Sequence, residues 1–457
     1  MKSTIILPYL VGRAYILSVL LFSSACNYSV ENSRSDDSPT KQAKPNIVII
    51  IADDLGYGGI GSYGNDSIAT PHLDSLAYDG LKFTDFYANA PVCTPTRAAL
   101  LTGRYQQRAG LEGVIYARGD TRQTGLDTTE ISLAKVLQNN GYTTGIVGKW
   151  HLGYRKAYNP VKHGFEAFYG YVSGNVDYHT HYDNTGVYDW WHNQDTIQEE
   201  GYVTDLITEH AVEFIEQNRE KPFFLYVAHE APHVPFQGRN DPGYRFSGQE
   251  FTYYGPVKEQ WRAYREMIEV MDEGIGKIMQ TLKDHNLDEN TLVFFLSDNG
   301  ALEKYGSNGR LRGQKGSLYE GGIRVPAIAY WKGKIKPGTS STTAMSMDLM
   351  PTALAVSKAN LPPGHKLDGI DLSPLLFEEQ PLSDRYLYWR YRKQKAVRQG
   401  AWKLLITGTD TALYNLEQDL KEVKNLAAQL KDTVKILSTR LQLWEEGISS
   451  SGLMKTN

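Results

Sequence analysis

Four apolar runs of strand length constrain the fold of this chain most, because each one ends in polar residues capable of chemistry. The runs and their terminal residues are NIVIIIADD with Asp53 and Asp54, YTTGIVGKWH with Lys149 and His151, PFFLYVAHEAPH with His229 and His233, and TLVFFLSDNG with Asp298 and Asn299. Uninterrupted runs rich in β-branched and aromatic residues are typical of strands buried on both faces. The sequence therefore predicts a largely parallel sheet.

Helical patterns separate these runs, for example over residues 132–139, 203–217 and 263–282. Alternating strands and helices indicate an α/β fold, in which helices sandwich a large, mostly parallel sheet. Ligands of such sheets bind beyond the carboxyl ends of the strands. We therefore expect the polar strand ends to meet at one edge and to form a site.

The pattern changes towards the C-terminus. The stretch DRYLYWRYRKQKAVRQGAWKLLI predicts the short strands of a smaller antiparallel sheet, and a helix is predicted from about residue 420 to 446. We place the domain boundary so that residues 45–375 form the catalytic domain and residues 376–457 form a smaller C-terminal domain. The chain contains no internal repeat and no glycine-rich nucleotide-binding motif.

The N-terminus has the features of a targeting segment. The positive charges of Lys2 and Arg13 precede an apolar core at residues 14–22, and small residues precede Cys26, as at a bacterial lipoprotein cleavage site. We predict a signal peptide at residues 1–26, with Cys26 as a lipid anchor; ordinary secretory cleavage is the alternative. The polar residues 27–44 suit a flexible linker. These features predict an exported bacterial protein, periplasmic or at the cell surface.

Composition excludes some partners. The 457 residues are 41% hydrophobic and 22% charged, as in ordinary globular proteins, and the net charge of −4 gives no basic surface for nucleic acid. Thirty tyrosines and eight tryptophans supply many aromatic rings. Such a supply accompanies sugar binding, although an aromatic-rich core explains it equally well.

The stretch PVCTPTRAALLTGR, residues 91–104, contains one of the two cysteines of the chain. A structural disulfide is not expected, because the other cysteine lies in the predicted processing site. Pro95 suits a first helical position, so we expect Cys93 at the start of a helix, where free N–H groups favour an anion. Arg97, four residues after Cys93, faces the same side and can contact that anion.

The motif CTPTR, followed by AALLTGR, resembles the signature of the type I sulfatases, the formylglycine-dependent branch of the alkaline phosphatase superfamily. The resemblance extends over roughly residues 45–425. It implies a sulfuric ester hydrolase in which a formylglycine-generating maturation enzyme oxidises Cys93 to formylglycine (3-oxoalanine). The same resemblance explains why a lone cysteine is kept in the body of the chain.

The resemblance also implies a metal site. Asp53 and Asp54 in IADDLGYGGIG and Asp298 and Asn299 in SDNG match the metal ligands of the family, with the modified Cys93 as a further ligand. Oxygen donors select a hard cation, and the family usually holds Ca²⁺, with Mg²⁺ as the alternative. A lone Asp-Asp pair is more often a solvated strand end, but here two acidic motifs each close a buried strand.

Further motifs match the catalytic residues of the family. Lys149 and His151 lie in GKWHLG, His233 in APHVP and Lys315 in GQKGSLYEGG. The resemblance implies that Lys149, Lys315 and Arg97 neutralise the sulfate oxygens. It makes His233 the candidate general acid and His151 the candidate base, and the sequence leaves their order open.

Substrate choice is expected in the loops over the strand ends. The insertion at residues 169–196 offers His179 and His181 for sugar hydroxyls and two adjacent tryptophans for stacking, while Arg312 and Arg310 are candidates for a second sulfate or carboxylate. A packed surface loop, a second metal site at His-x-His and a solvated basic loop are the alternatives. We predict sulfated polysaccharide or glycan fragments as substrates, with galactose-type sugars favoured.

Two other functions compete with a sulfatase. One is a phosphomonoester or phosphonate hydrolase of the same superfamily, whose second metal site is not evident in the sequence. The other is a non-catalytic glycan-binding surface protein; the presence of Cys93, Lys149 and His233 argues against it. For His229 a structural role is as compatible with the sequence as a catalytic one.

Overall fold

A computed structural model describes residues 44–249, 251–255 and 257–449 of the chain. The predicted signal peptide, Cys26 and all but the last residue of the predicted linker lie outside the described residues. Among the helices that are described, none is both long enough and apolar enough to cross a lipid bilayer.

The described residues form sixteen strands. In chain order these are β1 (Asn46–Ala52), β2 (Leu81–Phe83), β3 (Phe86–Tyr87), β4 (Thr143–Lys149), β5 (Ala167–Tyr171), β6 (Trp191–His192), β7 (Asp195–Thr196), β8 (Phe223–Ala228), β9 (Thr291–Ser297), β10 (Ala327–Tyr330), β11 (Gly338–Ser340), β12 (Ala344–Met345), β13 (Tyr386–Tyr391), β14 (Gln394–Gln399), β15 (Trp402–Thr407) and β16 (Asp410–Asn415).

The same part of the chain forms nine α-helices. They are α1 (Pro71–Asp79), α2 (Cys93–Thr102), α3 (Leu133–Asn139), α4 (Val203–Asn218), α5 (Gln260–Asp284), α6 (Glu320–Ile323), α7 (Leu349–Ser357), α8 (Ser373–Glu378) and α9 (Lys431–Ser449). The three predicted helices correspond to α3, α4 and α5.

The main sheet has ten strands in the order β11-β2-β10-β9-β1-β8-β4-β5-β6-β7. Its centre consists of the four apolar runs, β9, β1, β8 and β4, which pair in parallel with one another. Antiparallel pairs occur towards the two sides, for example between β10 and β9. The predicted α/β fold with a large, mostly parallel sheet is confirmed.

Alternating residues of the central strands explain why both faces of the sheet are covered. Ile47, Ile49 and Ile51 of β1 pack into one hydrophobic core with α2, α3 and α7. The residues between them, such as Val48 and Ile50, pack into a second core with α1, α4 and α5. Successive side chains of a strand point to opposite faces, so a continuous apolar run serves both cores.

The C-terminal part forms a four-stranded antiparallel sheet, β13-β14-β15-β16, against which α9 packs. The predicted helix start near residue 420 is wrong, because α9 begins at Lys431. The preceding segment is bound to β16 instead: Leu426 N–H donates to the Leu413 carbonyl at 2.8 Å, and the Asn425 amide donates to the Thr411 carbonyl at 3.1 Å. The boundary at residue 375 remains a prediction and falls within α8.

Candidate active site

Cys93 is the first residue of α2, and the extended Val92 precedes it. Pro95 lies in the first turn, where its missing N–H costs no hydrogen bond within the helix. Every residue of this helix is buried, and Cys93 is 3% exposed. Burial raises the pKa of the Cys93 thiol, although the nearby charges of Lys149 and Lys315 act in the opposite direction.

Three acidic residues converge on the Cys93 end of this helix from two adjacent strands. Asp53 and Asp54 follow β1, and Asp298 follows β9, its neighbour in the sheet. The Asp298 N–H donates to the Ala52 carbonyl at 3.1 Å, and the Asp54 N–H donates to Asp298 Oδ1 at 3.2 Å. All three carboxylates are buried. The parallel register of β1 and β9 thus produces the predicted convergence.

Arg97 and Lys149 neutralise part of this charge. Arg97 Nε and Nη2 donate to Asp298 Oδ2 at 3.1 and 2.9 Å, and Arg97 Nη1 donates to the Lys149 carbonyl at 3.3 Å. The Lys149 ammonium forms an ion pair with Asp53. Burial alone would raise the pKa of Asp53, but Lys149 and other cations outweigh it and hold that pKa well below its usual range.

Lys315 and His233 meet at the second aspartate. Lys315 Nζ donates to Asp54 Oδ2 at 2.7 Å, and His233 Nε2 lies 3.7 Å from the same oxygen. Burial acts to lower the pKa of Lys315, but the Asp54 charge overrides it and raises that pKa. For His233, burial and then the Lys315 charge lower the pKa to about 4.

The oxygen atoms of this cluster fit a hard divalent cation. Asp53 Oδ1 and Asn299 Oδ1 are buried without a hydrogen-bond partner. Asn299 donates its amide to Asp54 Oδ1 at 2.7 Å, which leaves its oxygen free as a ligand. One ligand atom from each of Asp53, Cys93 and Asp298 lies within 4.8 Å of the others. Carboxylate and amide oxygens are the ligands that Ca²⁺ and Mg²⁺ prefer.

His151 is held with one ring nitrogen available. Its Nε2 lies 2.9 Å from the Ile115 carbonyl, which requires a proton on that nitrogen, and its buried Nδ1 has no partner. The Ile115 N–H contacts Thr94, the residue after Cys93, at 3.3 Å. Burial and then the Lys149 charge hold the pKa of His151 well below its usual range. His151 is therefore neutral, with Nδ1 as a proton acceptor.

His233 has the opposite assignment of its ring nitrogens. Its Nδ1 lies 2.7 Å from the Val234 carbonyl and donates to it, so Nε2 faces Asp54 and is the nitrogen available for proton transfer. His229, by contrast, is fully buried with neither ring nitrogen partnered, and burial lowers its pKa to about 3. A neutral His229 fits the structural alternative.

The predicted sugar-binding residues all have partners within the protein, although Arg312 is also exposed. His179 Nε2 lies 3.0 Å from the Gly238 carbonyl. His181 is 1% exposed, contacts the Gly201 carbonyl and stacks on Trp190 at 4.9 Å. Arg312 donates to the Glu422 carbonyl at 2.6 Å and lies 4.0 Å from the ring centre of Tyr319. The structure does not present His181 to a substrate, because the insertion packs its aromatic rings inward, as the packed-loop alternative expects.

Asp177 organises this insertion and was missed in the sequence. Its Oδ1 accepts the N–H groups of His179 and Thr180, each at 3.0 Å. Its Oδ2 accepts from the Gln237 amide and from the N–H groups of residues 244 and 245. An aspartate hydrogen-bonded to the N–H two residues later is typical of an Asx turn, which is the available signal in DYHT. Asp177 thus ties the insertion to the loop that follows His233.

The sequence profile of the Sulfatase family matches residues 45–359. The chain belongs to the sulfatase family. The profile of the N-sulphoglucosamine sulphohydrolase C-terminal region matches residues 313–446, which include the four-stranded sheet. The chain is therefore a sulfuric ester hydrolase, and the resemblance found in the CTPTR motif is confirmed.

Relatives and solved structures agree with this assignment. Bos taurus arylsulfatase A is 39% identical over 399 residues, which cover 79% of this chain and 74% of that protein. Mus musculus N-acetylgalactosamine-6-sulfatase is 36% identical over 387 residues, covering 79% and 71%. The crystal structure of Ps i-CgsB with k-i-k-neocarrahexaose is 32% identical with a TM-score of 0.80, covering 88% of this chain and 92% of that one.

Proposed function

We propose that this sulfatase uses a formylglycine derived from Cys93 as its nucleophile and acts on sulfated polysaccharide or glycan fragments. The observation that carries the proposal is the position of Cys93, at the N-terminus of a buried helix beside the carboxylates of Asp53 and Asp298. A buried thiol with a raised pKa is protonated near neutral pH and is a poor nucleophile. Formylglycine, once hydrated, would supply one hydroxyl that attacks sulfur and a second through which sulfate is expelled.

Asp53, Asp54, Asp298 and Asn299 would hold the metal ion, with Ca²⁺ favoured over Mg²⁺. The unpartnered oxygens of Asp53 and Asn299 support this assignment. The ion would supply positive charge beside the nucleophile and the sulfate oxygens.

Three cationic side chains would bind the sulfate group. Arg97 and Lys149 are fully buried, and Lys315 lies on the Asp54 side of the cluster. Each has a carboxylate partner that fixes its position before a substrate arrives. Fixed cations stabilise charge that develops in the transition state without reorganising.

His151 and His233 would move the protons. The free Nδ1 of His151 suits a base, because the Ile115 carbonyl fixes the proton on the other nitrogen. His233 Nε2 would donate a proton to the departing sugar oxygen. Its low pKa disfavours the protonated form, and the negative charge of a bound sulfate would raise that pKa towards neutrality.

Relatives support a sugar sulfate as substrate and favour a galactose-type sugar. One relative is an N-acetylgalactosamine-6-sulfatase, and one structural neighbour was crystallised with neocarrahexaose. Tyr253 lies beside His233, with ring centres 6.5 Å apart and 46% of its surface exposed, which suits packing against a sugar. We further propose that the protein is exported, lipid-anchored at Cys26 and matured by a formylglycine-generating enzyme.

The test is release of inorganic sulfate and phosphate from matched esters. Galactose 6-sulfate, N-acetylgalactosamine 6-sulfate and a carrageenan oligosaccharide are compared with galactose 6-phosphate. We expect sulfate release from at least one sugar and little phosphate release. Faster phosphate release would instead assign the chain to phosphoester hydrolysis, and neither activity in fully matured protein would contradict the proposal.

A further inference from the structure

The turn between β13 and β14 lies against the loop that contains Lys315. Gln394 Oε1 accepts the Leu318 N–H at 3.0 Å, and Gln394 Nε2 donates to the Gly316 carbonyl at 3.2 Å. The Gly316 N–H in turn donates to the Pro91 carbonyl at 2.8 Å, two residues before Cys93. A short series of hydrogen bonds thus connects this hairpin of the C-terminal sheet to the candidate nucleophile.

Arg392 and Lys393 form the tip of the hairpin and are exposed. Within the part of the chain that the structure describes, neither forms an ion pair with a carboxylate. The cations of the adjoining strands differ, since Arg390 pairs with Glu112 at 2.5 Å and Lys395 pairs with Glu445 at 2.9 Å. Carboxylates therefore neutralise the two cations in the strands of the hairpin, whereas the two cations at its tip have no carboxylate partner among the described residues.

The backbone of the tip does not favour these residues. Arg392 has a φ of 54°, in the left-handed region where a side chain is strained. Two-residue hairpin turns with a positive φ at the first central residue alone prefer glycine at that residue. The chain nevertheless has an arginine at this strained position, next to a second cation. Backbone strain indicates a functional site when a second observation agrees with it. The free charges of the tip are that observation.

Tyr391 and its cross-strand partner Gln394 place the tip beside the Lys315 loop of the candidate active site. The Arg392 guanidinium lies 5.2 Å from the ring centre of Tyr391. Tyr391 pairs across the hairpin with Gln394, whose side chain holds the loop that contains Lys315.

We propose that Arg392 and Lys393 bind a second anionic group of the glycan, a sulfate or a carboxylate, while its scissile sulfate ester occupies the site at Cys93. The inference rests on the proposed function and deepens it, because it makes the substrate a glycan with at least two anionic groups. Arginine and lysine are the side chains that bind such groups, arginine with a paired set of hydrogen bonds.

The test measures glycan binding without turnover, in the full-length Cys93→Ala chain. Fluorescence anisotropy gives the Kd of two labelled probes, a neocarratetraose tetrasulfate without carboxylates and a chondroitin 6-sulfate tetrasaccharide with them. The tip variant is Arg392→Gly with Lys393→Asn, which removes both charges and places glycine at the first position of the turn, where this backbone prefers it. The turn itself is therefore expected to fold at least as well as in the parent.

We expect the tip variant to raise the Kd of at least one probe by about tenfold or more and to weaken its salt dependence. The probe whose Kd rises more identifies the anion that the tip prefers. Arg392→Asp should raise the Kd further. The matched control is Lys358→Asn, which removes an exposed cation that also has a left-handed φ, of 53°, at the end of α7.

Two outcomes overturn the inference: an unchanged Kd for both probes, or an equal loss in the Lys358→Asn control. A separate assay tests the proposed function: it measures sulfate release from the same probes by the matured wild-type protein. No sulfate release would count against the proposed function. Binding that depends on the tip would remain measurable in that case.

Discussion

Lys315 Nζ donates a 2.7 Å hydrogen bond to Asp54 Oδ2 and so joins two loops that are 261 residues apart in the chain. The same carboxylate oxygen lies 3.7 Å from His233 Nε2. Asp54 thus connects a sulfate-binding candidate, a proton-transfer candidate and the proposed metal site. A change at any one of these residues is expected to alter the other two.

Replacing Lys315 by alanine should lower kcat/KM for sulfate release by about 100- to 1,000-fold, because a positioned charge on the transition state is lost. The exposed Lys435 of α9 supplies the control, since Lys435→Ala removes a cation from a helix of the C-terminal region. Initial rates with a sugar sulfate measure both variants. Equal activity of Lys315→Ala and the control would remove Lys315 from the catalytic set.

Calcium should stabilise the fold through Asp298. Without a cation, burial and the neighbouring Asp53 charge raise the pKa of Asp298. The ionised form of this carboxylate is therefore disfavoured, and a bound cation would stabilise it. Chelation should lower Tm and added Ca²⁺ should restore it. Asp298→Asn should abolish the Ca²⁺-dependent shift, whereas Asp66→Asn, at an exposed loop carboxylate, should keep it. Thermal unfolding measures Tm in each variant. A full Ca²⁺-dependent shift of Tm in Asp298→Asn would contradict the metal assignment.

Asp177→Asn should reduce the free energy of unfolding by about 3 kcal/mol, because an amide group would face backbone N–H groups that lose their acceptor. Asp195→Asn is the matched control, since Asp195 lies in the same insertion with its side chain 88% exposed. Urea unfolding measures both. A loss no larger than that of the control would show that the five donors to Asp177 find other partners.

Stability should decrease in acid partly through His163, which packs on Trp150 with neither ring nitrogen partnered. Burial lowers the pKa of His163 from 6.5 to about 4. Below pH 6.5 the unfolded chain therefore binds a proton that the folded chain rejects, and stability falls with pH until about pH 4. This contribution amounts to about 3 kcal/mol.

His163→Gln cannot titrate and should show a shallower loss of stability over that pH window. Urea unfolding at a series of pH values measures the slope, and the absolute stability at pH 7 does not enter the comparison. An unchanged slope would mean that His163 is protonated in the folded protein as readily as in the unfolded one.

The main sheet and the convergence of its strand ends could be predicted, because both follow from local pattern. A buried parallel strand needs a continuous apolar run, and the chemistry begins where the run ends, as at Asp53 and Asp298. The start of α9 was not predictable in this way. Residues 420–430 lack strong breakers, and their hydrogen bonds to β16 are contacts between chain segments that a local pattern does not contain.

The residues that bind the substrate were harder to predict from the sequence for the same reason. A histidine that binds a sugar and one that packs on Trp190, as His181 does, have the same sequence signature. Arg392 was overlooked because its place beside the Lys315 loop depends on Gln394 and on the docking of the C-terminal sheet. A charged residue indicates a binding site only when its partners in the structure are known. At the hairpin tip, the signal is that Arg392 and Lys393 form no ion pair among the described residues.

The central claim is that Cys93 becomes formylglycine and carries the reaction. The most direct measurement is the mass of the peptide spanning residues 91–104, in protein purified from its native source, taken together with sulfate release from a sugar sulfate. The account predicts a peptide about 18 Da lighter than the unmodified sequence, in a fraction that tracks activity. An unmodified thiol in fully active protein would contradict it.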